Sequence, residues 1–429
     1  MPPVLASDGE PDSTRLDVLV FGATSFVGAI LCRELVKTFG LGGEQLRWGM
    51  AGRSIEKLSQ LRASLGPGAS SVPLLVADAA DAASLRELCS ASRVIITTVG
   101  PYALHGEPLV QACVETGTDY CDLSGEVQWI RRMIERYETA AQASGARIVH
   151  CCGFDSIPSD LGVHFLQREA ERRFGAPCES ISMRVRAMRG GFSGGTVASL
   201  LNVVKEAAAD PALRRELLDP YSLSPREHRN TARQRVIRGA HFDPAFAAWT
   251  APFVMGPVNT RVVLRSHALG RGSDGQALRY DEAVLTGRGL RGRLTAMLSA
   301  TGLNAFMLSA AVPPLRALLE RFVLPAPGEG PNPEAQISGF FDLRFRGVTA
   351  QRETLQVRVT GDRDPGYGST ARMLAQAGAC LSLDLAAKSS GGGFWTPATL
   401  LGDLLIDRLQ RNAGLTFTVL NGSGRDTPR

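Results

Sequence analysis

The chain has 429 residues, 44% hydrophobic and 21% charged, with a formal net charge of +5. This is the composition of a soluble globular protein long enough for two domains. The positive balance is arginine scattered among acids, with Lys37, Lys57, Lys205 and Lys388 the only lysines, and aromatics are 6% of the chain. That pattern argues against a nucleic-acid surface. The cysteines at 32, 89, 113, 121, 151, 152, 178 and 380 form no CxxC pair, so neither a structural metal nor a disulfide framework is expected, and reduced cysteines suit a cytoplasmic core.

Residues 1–14 have no apolar core and are expected to be a flexible tail without a secretory or mitochondrial signal. From 15 to 155 the pattern alternates strand and helix. Strands are expected at Val18–Phe21, Arg47–Ala51, Val72–Val76, Val94–Thr98, Asp119–Asp122 and Ala146–Cys151. Helices are expected between them at Val27–Thr38, Ile55–Leu65, Ala82–Ala91, Gly106–Thr116 and Trp129–Ser144. Such alternation implies α/β architecture, a doubly wound parallel sheet with right-handed crossovers.

Beyond Asp155 the character changes. Strand-like segments lie at Ser180–Arg186, Asn259–Ser266, Arg279–Thr286, Ile337–Arg346, Glu353–Gly361 and Leu415–Leu420. Helices are expected at Thr196–Ala209, Ser369–Cys380 and Pro397–Ala413, and the whole reads as a second, α+β domain over 156–395. Leu294–Leu315 carries no charge and is long enough to cross a bilayer, but Ser, Thr, Asn304 and Pro313-Pro314 dilute it. It reads as a buried helix or as one that meets a membrane surface or an acyl chain.

The chemistry begins at Gly22-Ala23-Thr24-Ser25-Phe26-Val27-Gly28, directly after the apolar run Leu16–Phe21. Strand, tight turn and helix in that order place backbone N–H groups and the positive helix end against a pyrophosphate. Gly22 permits the turn and Gly28 a close helix–strand approach, while Ser25 stands where a second glycine is usual. The second strand ends in Gly52-Arg53-Ser54 without the carboxylate that would accept from a ribose 2′-hydroxyl. A guanidinium there pairs with a 2′-phosphate, so the expected cofactor is NADP(H), with Arg53 and Ser54 at the phosphate and Asp78 at the end of the third strand. Val99-Gly100-Pro101 forms the rim beside the nicotinamide.

These segments combine with Asp119-Tyr-Cys-Asp-Leu-Ser-Gly-Glu126, Cys152-Gly-Phe-Asp-Ser-Ile-Pro158, Ser193-Gly194-Gly195-Thr196, Ala251-Pro-Phe-Val254, Asn259-Thr-Arg261 and Gly391-Gly-Gly-Phe-Trp-Thr-Pro397. Together they resemble the saccharopine dehydrogenase-like oxidoreductase family, in the branch of the trans-acting enoyl reductases. The resemblance implies a Rossmann domain, a substrate and dimerisation domain, and a C-terminal portion (396–429) that packs back on the first. It also implies NADPH-dependent reduction of a carbon–carbon double bond on an acyl or polyketide chain, carrier-bound and supplied by a polyketide synthase, in lipid biosynthesis.

Among individual residues, Tyr102 is a candidate proton donor or packing aromatic. Asp122 leaves the fifth strand at the cleft, and Cys152 the sixth. Glu126 is expected to cap the helix that follows it, and Asp155 and Ser156 the helix entered at Pro158. Ser193, Gly194, Gly195 and Thr196 form a glycine turn suited to a phosphate or carbonyl oxygen of the substrate. Two other functions compete: a saccharopine reductase, with Arg184, Arg186, Arg189 and Arg261 available for carboxylates, and a non-catalytic dinucleotide-binding protein at a lipid surface.

Overall fold

The computed structural model describes residues 15–41, 43–191, 194–228, 232–270, 277–322, 330, 332–385 and 391–420. Among the described residues, fourteen strands fall into two seven-stranded sheets. In chain order they are β1 (Leu16–Phe21), β2 (Trp48–Gly52), β3 (Leu74–Val76), β4 (Ser92–Thr97), β5 (Asp119–Cys121), β6 (Arg147–Val149) and β7 (Cys178–Arg189). There follow β8 (His241–Asp243), β9 (Ala248–Pro252), β10 (Arg279–Gly287), β11 (Phe340–Thr349), β12 (Thr354–Gly361), β13 (Gly393–Trp395) and β14 (Leu415–Leu420).

The first sheet runs β13-β6-β5-β4-β1-β2-β3, and all of its pairings are parallel. Parallel strands need both faces covered, which is why β1 is apolar at nearly every position. Its side chains alternate: Val18 and Val20 enter one core with helices Phe26–Phe39 and Thr370–Ala379, while Leu19 and Phe21 enter another with helices Ala82–Ser90, Glu107–Thr116 and Val127–Ser144. The second sheet runs β14-β12-β11-β7-β10-β9-β8 and is antiparallel except for β7 beside β10. Helix Ile157–Phe174 covers it, and its residues share one continuous core with Val18, Val20 and Ile96 of the first sheet.

Three expectations are corrected. Asn259–Ser266 is not a strand but the middle of helix Gly256–Gly270. Its Val262-Val263-Leu264 run is buried on several sides, and the helix turns Arg261 and Arg265 onto the carbonyls of Leu217, Leu223 and Phe394. Pro257 just inside the start and Gly270 at the end are the local signals of that helix. The C-terminal portion divides between the sheets. Helix Thr370–Ala379 and β13 join the first sheet, and β14 pairs with β12 of the second. The division at 395 therefore cuts across both layers, because the chain crosses between them twice after 361.

The third correction concerns Leu294–Leu315. It forms helix Gly289–Ala311 and the start of helix Pro313–Phe322, and only 17% of the apolar window in the longer helix is buried. Leu290, Leu294, Met297, Leu298 and Leu308 are exposed on the longer helix, and Leu315 and Leu318 on the shorter. The buried-helix reading does not hold, since a core helix would hide such side chains.

Candidate dinucleotide and substrate site

The first-sheet turn has the steric signature its glycines demand. Gly22 sits at φ +84, and a Cβ there would lie 2.8 Å from a Val99 methyl. A Cβ on Gly28 would lie 2.2 Å from the Gly22 carbonyl oxygen. No side chain fits at either position, so backbone N–H groups lie open where a pyrophosphate binds. Ser25 caps helix Phe26–Phe39: the Gly28 N–H donates to its Oγ at 2.9 Å, and the hydroxyl also meets Thr98 Oγ1 at 2.9 Å. Its role is to order the turn, and the N–H groups of Phe26 and Val27, ahead of the internal ladder, are left for an anion.

Arg53 follows β2, is exposed, and has no hydrogen-bond or ion-pair partner among the described residues. Ser54 caps helix Ile55–Ser64 through the Lys57 N–H at 3.2 Å and donates to Glu56 at 2.8 Å. The guanidinium is thus the free group at this edge. Asp78 lies past β3, exposed, and turns its carboxylate onto the Ala80 N–H. Val99, Gly100 and Pro101 follow β4 with a cis Gly100–Pro101 bond, and Gly100 and Pro101 line a cavity of about 3000 Å³. Thr24, Ser25, Phe26 and Val27 line its other wall. The donor set and the space a Cβ would fill fit an NADP-type dinucleotide, and the volume is several times that of an ordinary small-molecule site.

The expected catalytic residues are placed differently. The Tyr102 hydroxyl donates to the Thr97 carbonyl at 3.0 Å and accepts from the Leu123 N–H at 3.2 Å, and its ring stacks on Trp129. Burial, then the charge of Asp122, pushes this phenol far up. Its ring packs at the cavity wall, and its one hydroxyl proton is committed to the Thr97 carbonyl. Asp122 is fully buried and accepts from the Tyr120 hydroxyl and the Ser124 and Cys151 N–H groups, with His150 Nδ1 at 2.7 Å. Cys152 is fully buried, its thiol pushed far up by burial, and it is a core residue rather than a nucleophile. Its neighbour Cys151 is the one on the cavity wall.

Glu126 does not cap the helix it precedes. Its carboxylate receives the N–H groups of Tyr102 at 2.8 Å and Ala103 at 3.1 Å and the Ser199 hydroxyl at 2.9 Å. Burial raises its carboxyl. Ser156 likewise precedes helix Ile157–Phe174 without capping it, and donates instead to Asn259 Oδ1 at 3.0 Å. Ser193 lies outside the described residues. Gly194, Gly195 and Thr196 form the first turn of helix Gly194–Ala209 rather than an open loop. Among the described residues no group of three metal-ligating side chains occurs.

Sequence reasoning missed Glu282. It lies on β10, is buried, and lines the cavity with Met255 and Gly256. The signal was present: an Asp281-Glu282 pair inside an otherwise apolar strand leaves one carboxylate facing inward.

A glycine turn with open N–H groups, a free arginine past the second strand and a deep cleft at the strand ends define a dinucleotide-dependent oxidoreductase. Residues 18–149 match the family model of the saccharopine dehydrogenase NADP binding domain. A Mycobacterium tuberculosis protein, named provisionally as a trans-acting enoyl reductase, is 38% identical over 404 residues, covering 92% of this chain and 95% of its own. Relatives named trans-acting enoyl reductase from Mycobacterium bovis and Mycobacterium ulcerans are 36% and 37% identical, each covering 96% of its own length and 93% and 92% of this chain. Among solved structures, apo saccharopine dehydrogenase (L-Glu forming) from Saccharomyces cerevisiae superposes with a TM-score of 0.50 at 14% identity, covering 94% of this chain and 99% of that one. It supports the fold alone.

The chain belongs to the saccharopine dehydrogenase-like oxidoreductases, in the branch of the trans-acting enoyl reductases. It is an NADP(H)-dependent enzyme. Arg53→Ala is expected to weaken NADPH binding about 10–100-fold, the loss of one charge-assisted contact, and to leave NADH binding unchanged. Fluorescence titration with each nucleotide measures both.

Proposed function

We propose that this protein reduces the carbon–carbon double bond of an enoyl thioester, carried on an acyl carrier and delivered by a polyketide or fatty-acyl synthase. One observation carries the reading: the cavity at the dinucleotide turn continues without interruption into an apolar chamber of the second layer. Val203, Leu217, Phe253, Val258, Leu303 and Phe306 wall it. A chamber of that size and lining suits a long acyl chain, whose burial contributes roughly 0.8 kcal/mol per CH₂.

The rim adds a second feature. Arg214, Arg233, Arg235 and Arg238 line the cavity, are exposed, and have no ion-pair partner among the described residues. Gln234 turns the other way and pins this segment, donating to the Leu278 carbonyl at 2.8 Å and accepting from the Tyr280 N–H at 2.9 Å. Arg233 and Arg235, on either side of that anchor, both line the cavity. Unpaired guanidinium groups beside an apolar chamber suit the phosphodiester of a pantetheine arm.

The amino-acid reading has less support. Arg184 is buried and paired with Asp243 and Asp281, Arg186 pairs with Asp342, and Arg261 holds the carbonyls of Pro257 and Leu217. These groups are spent on the fold. When bound, the dinucleotide supplies the hydride for the β-carbon of the thioester. Phe26, Val27 and Arg53 bind its phosphates, and the apolar walls orient the chain and exclude water.

We also propose that helix Gly289–Ala311 meets a lipid surface, where long-chain substrates collect. Exposed Arg288, Arg291 and Arg293 precede its charge-free apolar stretch, a collar for anionic headgroups. Leu303, Phe306 and Met307 of the same helix line the cavity. In flotation with anionic vesicles the protein is expected to rise with the lipid, and Leu294→Glu with Leu298→Glu to leave it behind. Dissociation of a soluble dimer by that pair, without lipid binding, would assign the face to a second copy.

The main test is spectrophotometric. NADPH oxidation is expected with a 2-enoyl phosphopantetheine thioester, and none of NADP reduction with saccharopine; the reverse outcome overturns the reading. Arg233→Glu with Arg235→Glu is expected to raise KM for that thioester about tenfold or more, and to leave KM for the phosphate-free pantetheine thioester unchanged.

A further inference from the structure

The two residue sets that mark the later part of the resemblance, Cys152–Pro158 and Asn259–Arg261, meet at a single buried carboxyl. The Ser156 hydroxyl donates to Asn259 Oδ1 at 3.0 Å, which turns the Asn259 amide nitrogen the other way. That nitrogen donates to Glu282 Oε2 at 3.0 Å and to Ser159 Oγ at 3.2 Å. Ser159 also bonds the carboxyl, and the Tyr280 hydroxyl donates to Glu282 Oε1 at 2.6 Å. Helices Ile157–Phe174 and Gly256–Gly270 and strand β10 each contribute a side chain to this cluster.

The cluster faces the reaction cleft. Glu282 lines the cavity beside Gly256, whose Cβ position would lie 3.6 Å from Glu282 Cβ. The next residue back, Met255, reaches to within 3.7 Å of the Cβ position of Gly125, on the segment that leaves β5. Three other acids line the wall: Glu34, paired with Arg372; Glu126, whose carboxylate holds the N–H groups of Tyr102 and Ala103 and the Ser199 hydroxyl; and Asp155. The Tyr102 proton is committed to the Thr97 carbonyl.

We propose that Glu282 is the acid that protonates the α-carbon of the enoyl thioester, with Asn259, Ser159 and Tyr280 as its positioning residues. The inference rests on the enoyl-reduction reading. The balance is simple. The double bond's π pair is consumed as two C–H bonds form, one at the β-carbon from the hydride of NADPH and one at the α-carbon from the carboxyl proton. NADPH is oxidised, the O–H bond of Glu282 breaks, and water reprotonates the carboxylate after release. Until that step burial favours the neutral acid, and afterwards three donors stand ready to receive the charge. Burial pushes this carboxyl up to about 7. The charge acting on it is that of Asp281 on its own strand, whose carboxylate faces Arg184 of β7; Tyr280, Ser159 and Asn259 meet it as hydrogen-bond donors.

The test compares the full-length wild type with Glu282→Gln and Tyr280→Phe, using NADPH and a 2-enoyl pantetheine thioester across neutral pH. Wild-type kcat is expected to fall as pH rises through about 7, where Glu282 loses its proton. Glu282→Gln should lower kcat about 10²–10⁴-fold with KM little changed and abolish that limb. Tyr280→Phe removes a donor from the carboxylate and should move the limb to higher pH while keeping the low-pH rate. Infrared titration of the protein without nucleotide gives an independent readout: a protonated carboxyl band that disappears near neutral pH and is missing in Glu282→Gln. Full kcat with an unchanged pH profile in Glu282→Gln, or an unmoved limb in Tyr280→Phe, overturns the proposal. A wild type that oxidises no NADPH with any enoyl thioester overturns the enoyl reading instead, and the infrared band then decides whether the buried acid itself stands.

Discussion

The cleft depends on one buried carboxylate, Asp122. Its two oxygens meet a phenol, an imidazole and two backbone N–H groups, drawn from β5, from the end of β6 and from the segments leaving both. Breaking such a buried arrangement on one side costs about 3–5 kcal/mol, because the remaining groups lose their partner with no water to replace it. The constraint is geometric as well as energetic. The chain leaving β5 must run through Leu123, Ser124 and Glu126, and the chain leaving β6 must start at Cys151, which sits at φ 64 on the cavity wall. Glu126 then holds the short helix after Pro101 by two N–H groups, so the chain leaving β5 also fixes the opposite wall of the cleft.

The division of labour between the two sheets has a physical reason. Pyrophosphate binding needs open backbone donors, and these come from the ends of parallel strands and the helix that follows. A large apolar cavity has to lie elsewhere, because a parallel sheet covered on both faces has no room for one. The second, mostly antiparallel sheet leaves one face for helix Ile157–Phe174 and sends β10 and its flanking helices to the cavity. Gln234 links the entrance to the interior, since the backbone N–H it receives belongs to Tyr280, whose hydroxyl reaches Glu282. The arginine-bearing segment, the cavity wall and the buried carboxyl therefore lie along one continuous structure.

What the sequence disclosed follows from how far each constraint reaches along the chain. The turn at Gly22–Gly28 was legible because its demands are local: a positive φ and two contacts too close for a Cβ, all within a few residues. The central parallel strands were legible because covered strands read as unbroken apolar runs. The same rule misled at Val262-Val263-Leu264, where a helix buried on several sides copies a strand's run and only Pro257 and Gly270 mark its true ends. Tyr102, Asp122 and Cys152 have the chemistry of a site and the correct edge of the sheet, but Leu123 and His150, which engage Tyr102 and Asp122, lie 21 and 28 residues away. Fourfold engagement of Asp122 cannot be read from a single segment. The Glu282 cluster is further out of reach, since it joins residues 156, 159, 259, 280 and 282 through contacts that span up to 103 positions.

The placement of that acid explains why an open cavity can still control a proton. A carboxyl exposed to solvent at neutral pH is ionised and can offer no proton. One buried without donors stays neutral but resists giving its proton up, because the resulting charge has nowhere to go. Glu282 lies between these limits: the core raises its affinity for the proton, and an amide and two hydroxyls fixed by their own partners receive the charge once it leaves. Ser156 matters here although it never meets the carboxyl, because its hydroxyl donates to the oxygen end of the Asn259 amide while the nitrogen end faces the acid. A reversed amide would set an oxygen against a carboxylate oxygen and penalise proton release, whereas the amide nitrogen that faces the acid favours it.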